Sequence, residues 1–133
     1  MRLHHVAFWT RQIDVLEDFY ARHLGGKVLF RHAIGDFRCT FMSLDDSVKI
    51  ELMSRTELGD PDLTERIGYS HLSLEVDSKA RVDQLTETFR AAGIPIEKDK
   101  EQYDDGFYES SIRDPDGNVI EIAFVDRNAN PHV

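Results

Sequence analysis

Two histidines and two glutamates recur along the chain in the same order and at similar spacing. His5 is followed by Glu51, and His71 is followed by Glu121. The surroundings repeat as well, because each histidine opens an apolar segment and each glutamate lies in the middle of one. Imidazole nitrogens and carboxylate oxygens form a mixed ligand set that suits a divalent transition metal. An internal duplication with one His–Glu pair in each half therefore predicts a metal site made of these four residues.

The elements that must position these residues follow a duplicated order of their own. In the first half, apolar alternation predicts strands at 3–9, 27–34, 37–44 and 48–54, and helical periodicity predicts a helix from Thr10, its N-cap, to a stop at Gly25-Gly26. In the second half, the same signals predict a strand at 69–76, a helix at 79–92 and strands at 94–98, 107–113 and 118–125, with an acidic loop at 99–106.

This order predicts an α+β fold of two βαβββ modules whose curled mixed sheets surround a metal-binding cavity. With 133 residues, the chain has the size of a single domain. We place the first module at 1–54, a polar linker at 55–67, the second module at 68–126 and a tail at 127–133.

Strand alternation indicates where the four candidate ligands point. Ile50 and Leu52 share one face of their strand and Glu51 lies on the other, and the same holds for Ile120, Ile122 and Glu121. The bulkier apolar face should receive the helices. The glutamates, with His5 and His71, should then point to the opposite, concave face of each sheet. His4 alternates with Val6 and Phe8, so we assign it to packing.

Composition narrows the class of function. The net charge of −9 and a pI near 5.0 argue against binding to nucleic acid or to anionic membranes. The single cysteine, Cys39, lies in an apolar stretch and cannot form an intrachain disulfide, which favours a reducing compartment and an inert buried thiol. No segment has the pattern of a signal peptide or a membrane span, so we expect a cytoplasmic protein.

The residues around these candidates resemble the glyoxalase I branch of the vicinal-oxygen-chelate superfamily. The resemblance covers almost the whole chain and is carried by Asp18-Phe19-Tyr20, His23-Leu24-Gly25-Gly26, Lys49-Ile50-Glu51-Leu52, Gly68-Tyr69-Ser70-His71 and Asp114-Pro115-Asp116-Gly117-Asn118-Val119-Ile120-Glu121. It implies paired βαβββ modules, a homodimer, and His5, Glu51, His71 and Glu121 as ligands of one divalent ion per site. Nickel, zinc, cobalt, manganese and iron all remain open as that ion.

Two features depart from the glyoxalase I pattern, and one is the loop before the last hairpin, where a basic residue is expected but Gln102-Tyr103-Asp104-Asp105-Gly106-Phe107 is acidic and aromatic. Members that use glutathione usually carry an arginine four residues after the first ligand, where this chain has Trp9. Arg11 or Arg38 could replace that arginine, and a neutral, sugar-derived or other α-oxygenated substrate is equally compatible. The candidate substrate-binding residues are Trp9, Met53, Arg38 and Tyr108.

The resemblance implies a metal-dependent lyase or isomerase that moves a proton on an α-oxygenated carbonyl or a hemithioacetal through a metal-bound enediolate. Glu121 would be the general base, with Glu51 as its symmetric counterpart. Two alternatives stay open at this point: an extradiol-type dioxygenase, and a non-catalytic protein of the same fold that binds a small molecule such as a drug. A thiol transferase acting on an antibiotic fits less well, because such enzymes usually rely on three ligands and a cationic loop. In each case the partners expected are a small molecule and a second copy of the chain.

Overall fold

A computed structural model of the chain describes residues 3–45, 48–61, 63–64, 67–129 and 131–132. The chain divides into two compact units, Met1–Asp62 and Leu63–Val133. Each unit contains one helix and four strands, in the order strand, helix, three strands. The predicted α+β fold of two βαβββ modules is confirmed.

The elements of the first unit are β1 (Val6–Trp9), α1 (Ile13–Leu24), β2 (Lys27–Ile34), β3 (Phe37–Ser43) and β4 (Lys49–Ser54). Those of the second are β5 (His71–Glu75), α2 (Lys79–Ala91), β6 (Ile96–Gln102), β7 (Phe107–Arg113) and β8 (Val119–Val125). The strand orders are β1-β4-β3-β2 and β5-β8-β7-β6. Each sheet is mixed, because its first strand pairs in parallel with its last and the remaining pairs are antiparallel.

The core of each unit lies between its helix and the helix-facing side of its sheet. In the first unit, Leu16 and Tyr20 of α1 and Met42, Ile50 and Leu52 of the sheet are fully buried. Alternation along β4 leaves Glu51 on the opposite side, as the sequence predicts.

The core of the second unit repeats this arrangement. Val82 and Phe89 of α2 and Ile112, Ile120 and Ile122 of the sheet are buried. Burying these apolar side chains holds β8 against α2 and thereby directs Glu121 to the other face of the sheet.

Two glycines end α1 for different reasons. Gly25 adopts a left-handed conformation with φ of 71°, which a residue with a side chain rarely takes. At Gly26, a Cβ atom would lie 2.9 Å from the carbonyl oxygen of Tyr20 and 3.1 Å from Met42 Cε. The chain therefore turns into β2 tightly against the core only because both positions lack a side chain.

Two local predictions were wrong. The N-cap of α1 is Gln12 and not Thr10, and the Thr10 hydroxyl instead accepts a hydrogen bond from the Gln12 backbone N–H at 3.0 Å. The acidic segment predicted as a loop at 99–106 is partly a strand, because β6 continues to Gln102. Backbone pairing across the hairpin, with Glu101 opposite Glu109, continues the ladder where the side chains give no apolar alternation.

No helix within the described ranges is both long enough and apolar enough to cross a membrane.

Candidate functional site

The first unit brings His5 and Glu51 together. His5 lies immediately before β1, and β1 pairs in parallel with β4 so that Ala7 is opposite Glu51. This register leaves His5 Nε2 3.3 Å from Glu51 Oε2. The His5 ring also packs edge-on against Phe41, with ring centroids 5.1 Å apart, and its Nδ1 is 2.9 Å from His4 Nδ1. His4 is exposed, so its predicted role in packing is wrong.

The second unit repeats the pair with His71 and Glu121. His71 is the first residue of β5, and the parallel pairing of β5 with β8 places Ser73 opposite Glu121. His71 Nε2 lies 3.5 Å from Glu121 Oε2, and the Ser73 hydroxyl donates a 2.6 Å hydrogen bond to Glu121 Oε1. Each half of the duplication therefore holds one imidazole beside one carboxylate.

Both glutamates are shielded while both histidines remain accessible. The side chains of Glu51 and Glu121 are 16% and 13% exposed, and those of His5 and His71 are 33% and 42% exposed. An accessible imidazole beside a shielded carboxylate can receive a ligand from solvent without rearrangement of the sheet.

The two pairs differ in their neighbours. In the first unit, Cys39 of β3 lies next to Glu51; burial first, and then the Glu51 charge, raises the pKa of the Cys39 thiol. This matches the expected inert buried thiol, since a raised pKa disfavours the thiolate. In the second unit the equivalent position is Glu109. Burial first, and then the charge of Glu121, raises the pKa of the Glu109 carboxyl, and a hydrogen bond between the two carboxyl groups acts in the same direction.

A concavity of about 400 Å³ opens over the second pair. Its polar lining comes from Asp105, Glu109 and Glu121 on the acidic side and from His71, Lys98 and Tyr103. Lys98 is already engaged, because its ammonium group lies 3.2 Å from Glu101 and hydrogen-bonds the Tyr103 hydroxyl.

The four predicted substrate-binding residues separate into two groups. Trp9 and Met53 are opposite each other in the β1–β4 register, on the face that carries Glu51. Arg38 instead forms an ion pair with Asp14 of α1 at 2.6 Å, and the Tyr108 hydroxyl donates to Asp83 of α2 at 2.7 Å.

These two bonds place Arg38 and Tyr108 on the helix-facing sides of their sheets. Substrate contact by them stays a prediction that this placement does not favour.

The basic residues considered as replacements for the missing arginine are also engaged. Arg11 pairs with Asp60 at 2.8 Å and also donates to the Leu58 carbonyl oxygen. The guanidinium of Arg55 lies over Trp9, 4.7 Å from the centroid of its ring. Arg55 was not predicted from the sequence. It follows the last residue of β4, and strand alternation does not show where a residue beyond the strand points.

The side chain of Asp114 stabilises the turn before β8 through hydrogen bonds, a role for which no bound metal ion is required. Its Oδ1 accepts hydrogen bonds from the backbone N–H groups of Asp116, at 3.0 Å, and Asn118, at 2.9 Å. Its Oδ2 accepts from the Asn118 side chain at 2.9 Å. The turn fixes where β8 begins and thus the register of Glu121.

The donor set of each pair suits a divalent metal. Neighbouring nitrogen and oxygen ligands of such an ion lie roughly 3.0–3.4 Å apart when the bonds are about 2.1 Å long. The Nε2–Oε2 separations of 3.3 and 3.5 Å are close to that spacing. Within the described part of the chain, no three or more His, Cys, Asp or Glu side chains are grouped so as to hold a metal ion.

The fold agrees with comparisons to known proteins. The sequence profile of the Glyoxalase/Bleomycin resistance protein/Dioxygenase superfamily matches residues 2–122. The chain therefore belongs to this superfamily, whose members include enzymes and binding proteins.

Relatives show how far the similarity extends. An uncharacterised protein of Pseudomonas aeruginosa is 26% identical over 92% of this chain and 87% of its own length. The structure of a glyoxylase/bleomycin resistance protein/dioxygenase domain from Frankia sp. EAN1pec matches with a TM-score of 0.82 and 26% identity over 95% of this chain and 98% of that domain. A lactoylglutathione lyase from Agrobacterium tumefaciens matches with a TM-score of 0.70 and 25% identity, over 92% of both chains.

Two neighbours of the second pair, Ser73 and Glu109, were not predicted as site residues from the sequence. Ser73 follows His71 by two strand positions and so shares its face, and Glu109 shares a face with Ser111, which is opposite Glu121. The facing pattern that was applied to β4, β5 and β8 would have found Glu109 had it been extended to β7.

Proposed function

We propose that the protein is a metal-dependent lyase or isomerase of the glyoxalase I type. The proposal rests on one observation, the repetition of an imidazole–carboxylate pair at equivalent strand positions, His5 with Glu51 and His71 with Glu121. The superfamily membership and the likeness to a lactoylglutathione lyase support it.

In this proposal, the four residues of the two pairs are the ligands of one divalent metal ion. Two imidazoles and two carboxylates neutralise the ion's charge and leave coordination positions for two neighbouring substrate oxygens. When bound, the ion would supply Lewis acidity that stabilises negative charge developing on those oxygens. A homodimer remains the expected assembly.

The chain's own residues carry the proton transfer. Glu121 takes the proton from the carbon that bears the hydroxyl and sulfur of a hemithioacetal, and the electron pair of that C–H bond moves toward the adjacent carbonyl. The same proton, or one from solvent, is then added to the former carbonyl carbon, while the hydroxyl proton passes to the former carbonyl oxygen and leaves the thioester carbonyl behind. The product is a 2-hydroxy thioester, an isomer of the starting hemithioacetal, so no external oxidant or reductant is needed.

Ser73 orients the base in this scheme. Its hydroxyl is bonded to Glu121 Oε1, whereas Oε2, on the His71 side, would be the ligand atom and would have to leave the ion to take the proton. The shielding of Glu121 limits competing protonation from solvent.

The test compares wild-type protein with Glu121→Gln after loading with nickel, zinc, cobalt, manganese or iron. Methylglyoxal mixed with several thiols is the substrate, and thioester absorbance is the readout. We expect turnover by the wild type and a loss of about 10²–10⁴-fold in the variant, with an unchanged circular dichroism spectrum.

Glu87→Gln is the matched control, because Glu87 is an exposed carboxylate on α2. Equal rates in Glu121→Gln and Glu87→Gln would remove Glu121 as the base. Absence of turnover by the wild type with every metal and thiol would contradict the proposed function.

A further inference from the structure

Glu109 places a second carboxylate in the concavity beside the proposed base. It lies opposite Ala123 in the β7–β8 register, one strand alternation from Ser111, which is opposite Glu121. The two carboxylates therefore share the concave face and are close enough to interact. Glu109 is half-buried, whereas Asp105 at the rim of the same concavity is exposed.

The charges around Glu109 leave it without a dedicated counter-ion. The groups that act on it are the carboxylate of Glu121 and, with opposite sign, Lys98 and His71. Lys98 is shared with Glu101 and Tyr103. Among the ion pairs formed by the described residues, none includes Glu109. Its carboxyl group lines the concavity, where an entering ligand would meet it.

The carboxyl group of Glu109 is not repeated in the first unit. The position of the first unit that matches Glu109 in register is Cys39, opposite Met53. Cys39 is 6% exposed and carries a thiol whose pKa is raised, so it contributes no charge there. A half-buried carboxylate costs stability, so its presence in one unit only suggests a role in recognition.

We propose that Glu109 is a specificity-determining residue that favours substrates with hydroxyl or ammonium groups and rejects those with a carboxylate at this position. This inference rests on the proposed function. A hydroxyl or ammonium group can donate a hydrogen bond to the Glu109 carboxylate, whereas a substrate carboxylate would be repelled by it.

The experiment uses three hemithioacetals of methylglyoxal that differ in the charge of the thiol: glutathione, which is anionic, 2-mercaptoethanol, which is neutral, and cysteamine, which is cationic. We expect kcat/KM of the wild type to be on the order of tenfold higher for the neutral and cationic substrates than for the anionic one. Glu109→Gln keeps the size of the side chain and should reduce that ratio by about tenfold. Glu87→Gln should leave it unchanged.

A second readout does not depend on turnover. Binding of the inert thioethers S-methylglutathione, 2-(methylthio)ethanol and 2-(methylthio)ethylamine is followed by NMR titration of both proteins. If no hemithioacetal is turned over, the proposed function fails, but the order of thioether affinities still tests the role of Glu109. The inference is overturned if the anionic compound is preferred or if Glu109→Gln leaves the order and the ratios unchanged.

Discussion

The hydroxyl of Ser73 donates a 2.6 Å hydrogen bond to Glu121 Oε1, and the equivalent residue beside Glu51 is Ala7, which has no donor. The duplicated pairs are therefore chemically unequal. Glu121 is oriented by a hydroxyl, whereas the hydrogen-bonding side chain beside Glu51 is the Cys39 thiol, a weaker donor. This inequality agrees with the assignment of Glu121, and not Glu51, as the proton acceptor.

Removal of the Ser73 hydroxyl should lower kcat more than it changes KM. In Ser73→Ala, Glu121 keeps its charge but loses the bond that orients it, and we expect a decrease in kcat of about tenfold. Steady-state kinetics with the best hemithioacetal measures both constants. Ser73→Thr retains the hydroxyl and should recover most of the rate.

Thr88→Ala is the control for the Ser73 variants, because its hydroxyl bonds only within α2, to the Gln84 carbonyl oxygen. A decrease of the same size in Thr88→Ala, or none in Ser73→Ala, would contradict the orienting role.

The turn residue Asp114 should contribute strongly to stability. Its side chain is 4% exposed and accepts three hydrogen bonds from Asp116 and Asn118. Asp114→Ala leaves partly buried donors without acceptors, so we expect a loss of about 1–3 kcal/mol in the free energy of unfolding. Urea denaturation measures it. Asp104→Ala, at an exposed turn position, should change stability by less than about 0.5 kcal/mol.

The carboxylate of Glu17 should make stability depend on pH. Arg31, by hydrogen bonding first, and Thr40 lower the pKa of Glu17 below its ordinary value of 4.5. A lowered folded-state pKa means that the stabilisation is present above the unfolded-state pKa and is lost as the pH falls through the folded-state pKa.

We therefore expect Glu17→Gln to be less stable than the wild type by about 1 kcal/mol at pH 7, and the difference to shrink below about pH 4. Denaturation at a series of pH values checks it. Asp18→Asn, which removes an exposed partner of Arg22, is the control. A difference that is constant with pH would contradict the role of the Glu17 charge.

The sequence predicts which face of a strand a site residue occupies where apolar and polar residues alternate. It does not predict strand ends or contacts where that alternation is missing. Glu51 and Glu121 are flanked by buried isoleucine and leucine, so their facing could be derived and is confirmed. The end of β6 could not be predicted from the sequence, because Glu97 to Gln102 are polar on both faces of an edge strand. The contacts of Arg38 with Asp14 of α1 and of Tyr108 with Asp83 of α2 could not be predicted, because contacts between elements leave no local pattern in the sequence.

The central claim is that His5, Glu51, His71 and Glu121 bind a divalent metal, and its most direct test is the metal content of the purified chain. Protein prepared without chelators is compared by elemental analysis with the double variant His5→Ala/Glu121→Ala, whose folding is checked by circular dichroism. We expect about one divalent ion per chain in the wild type and none retained in the variant. No metal in the wild type, even after addition of nickel, zinc or iron, would contradict the claim and favour a binding protein of the same superfamily.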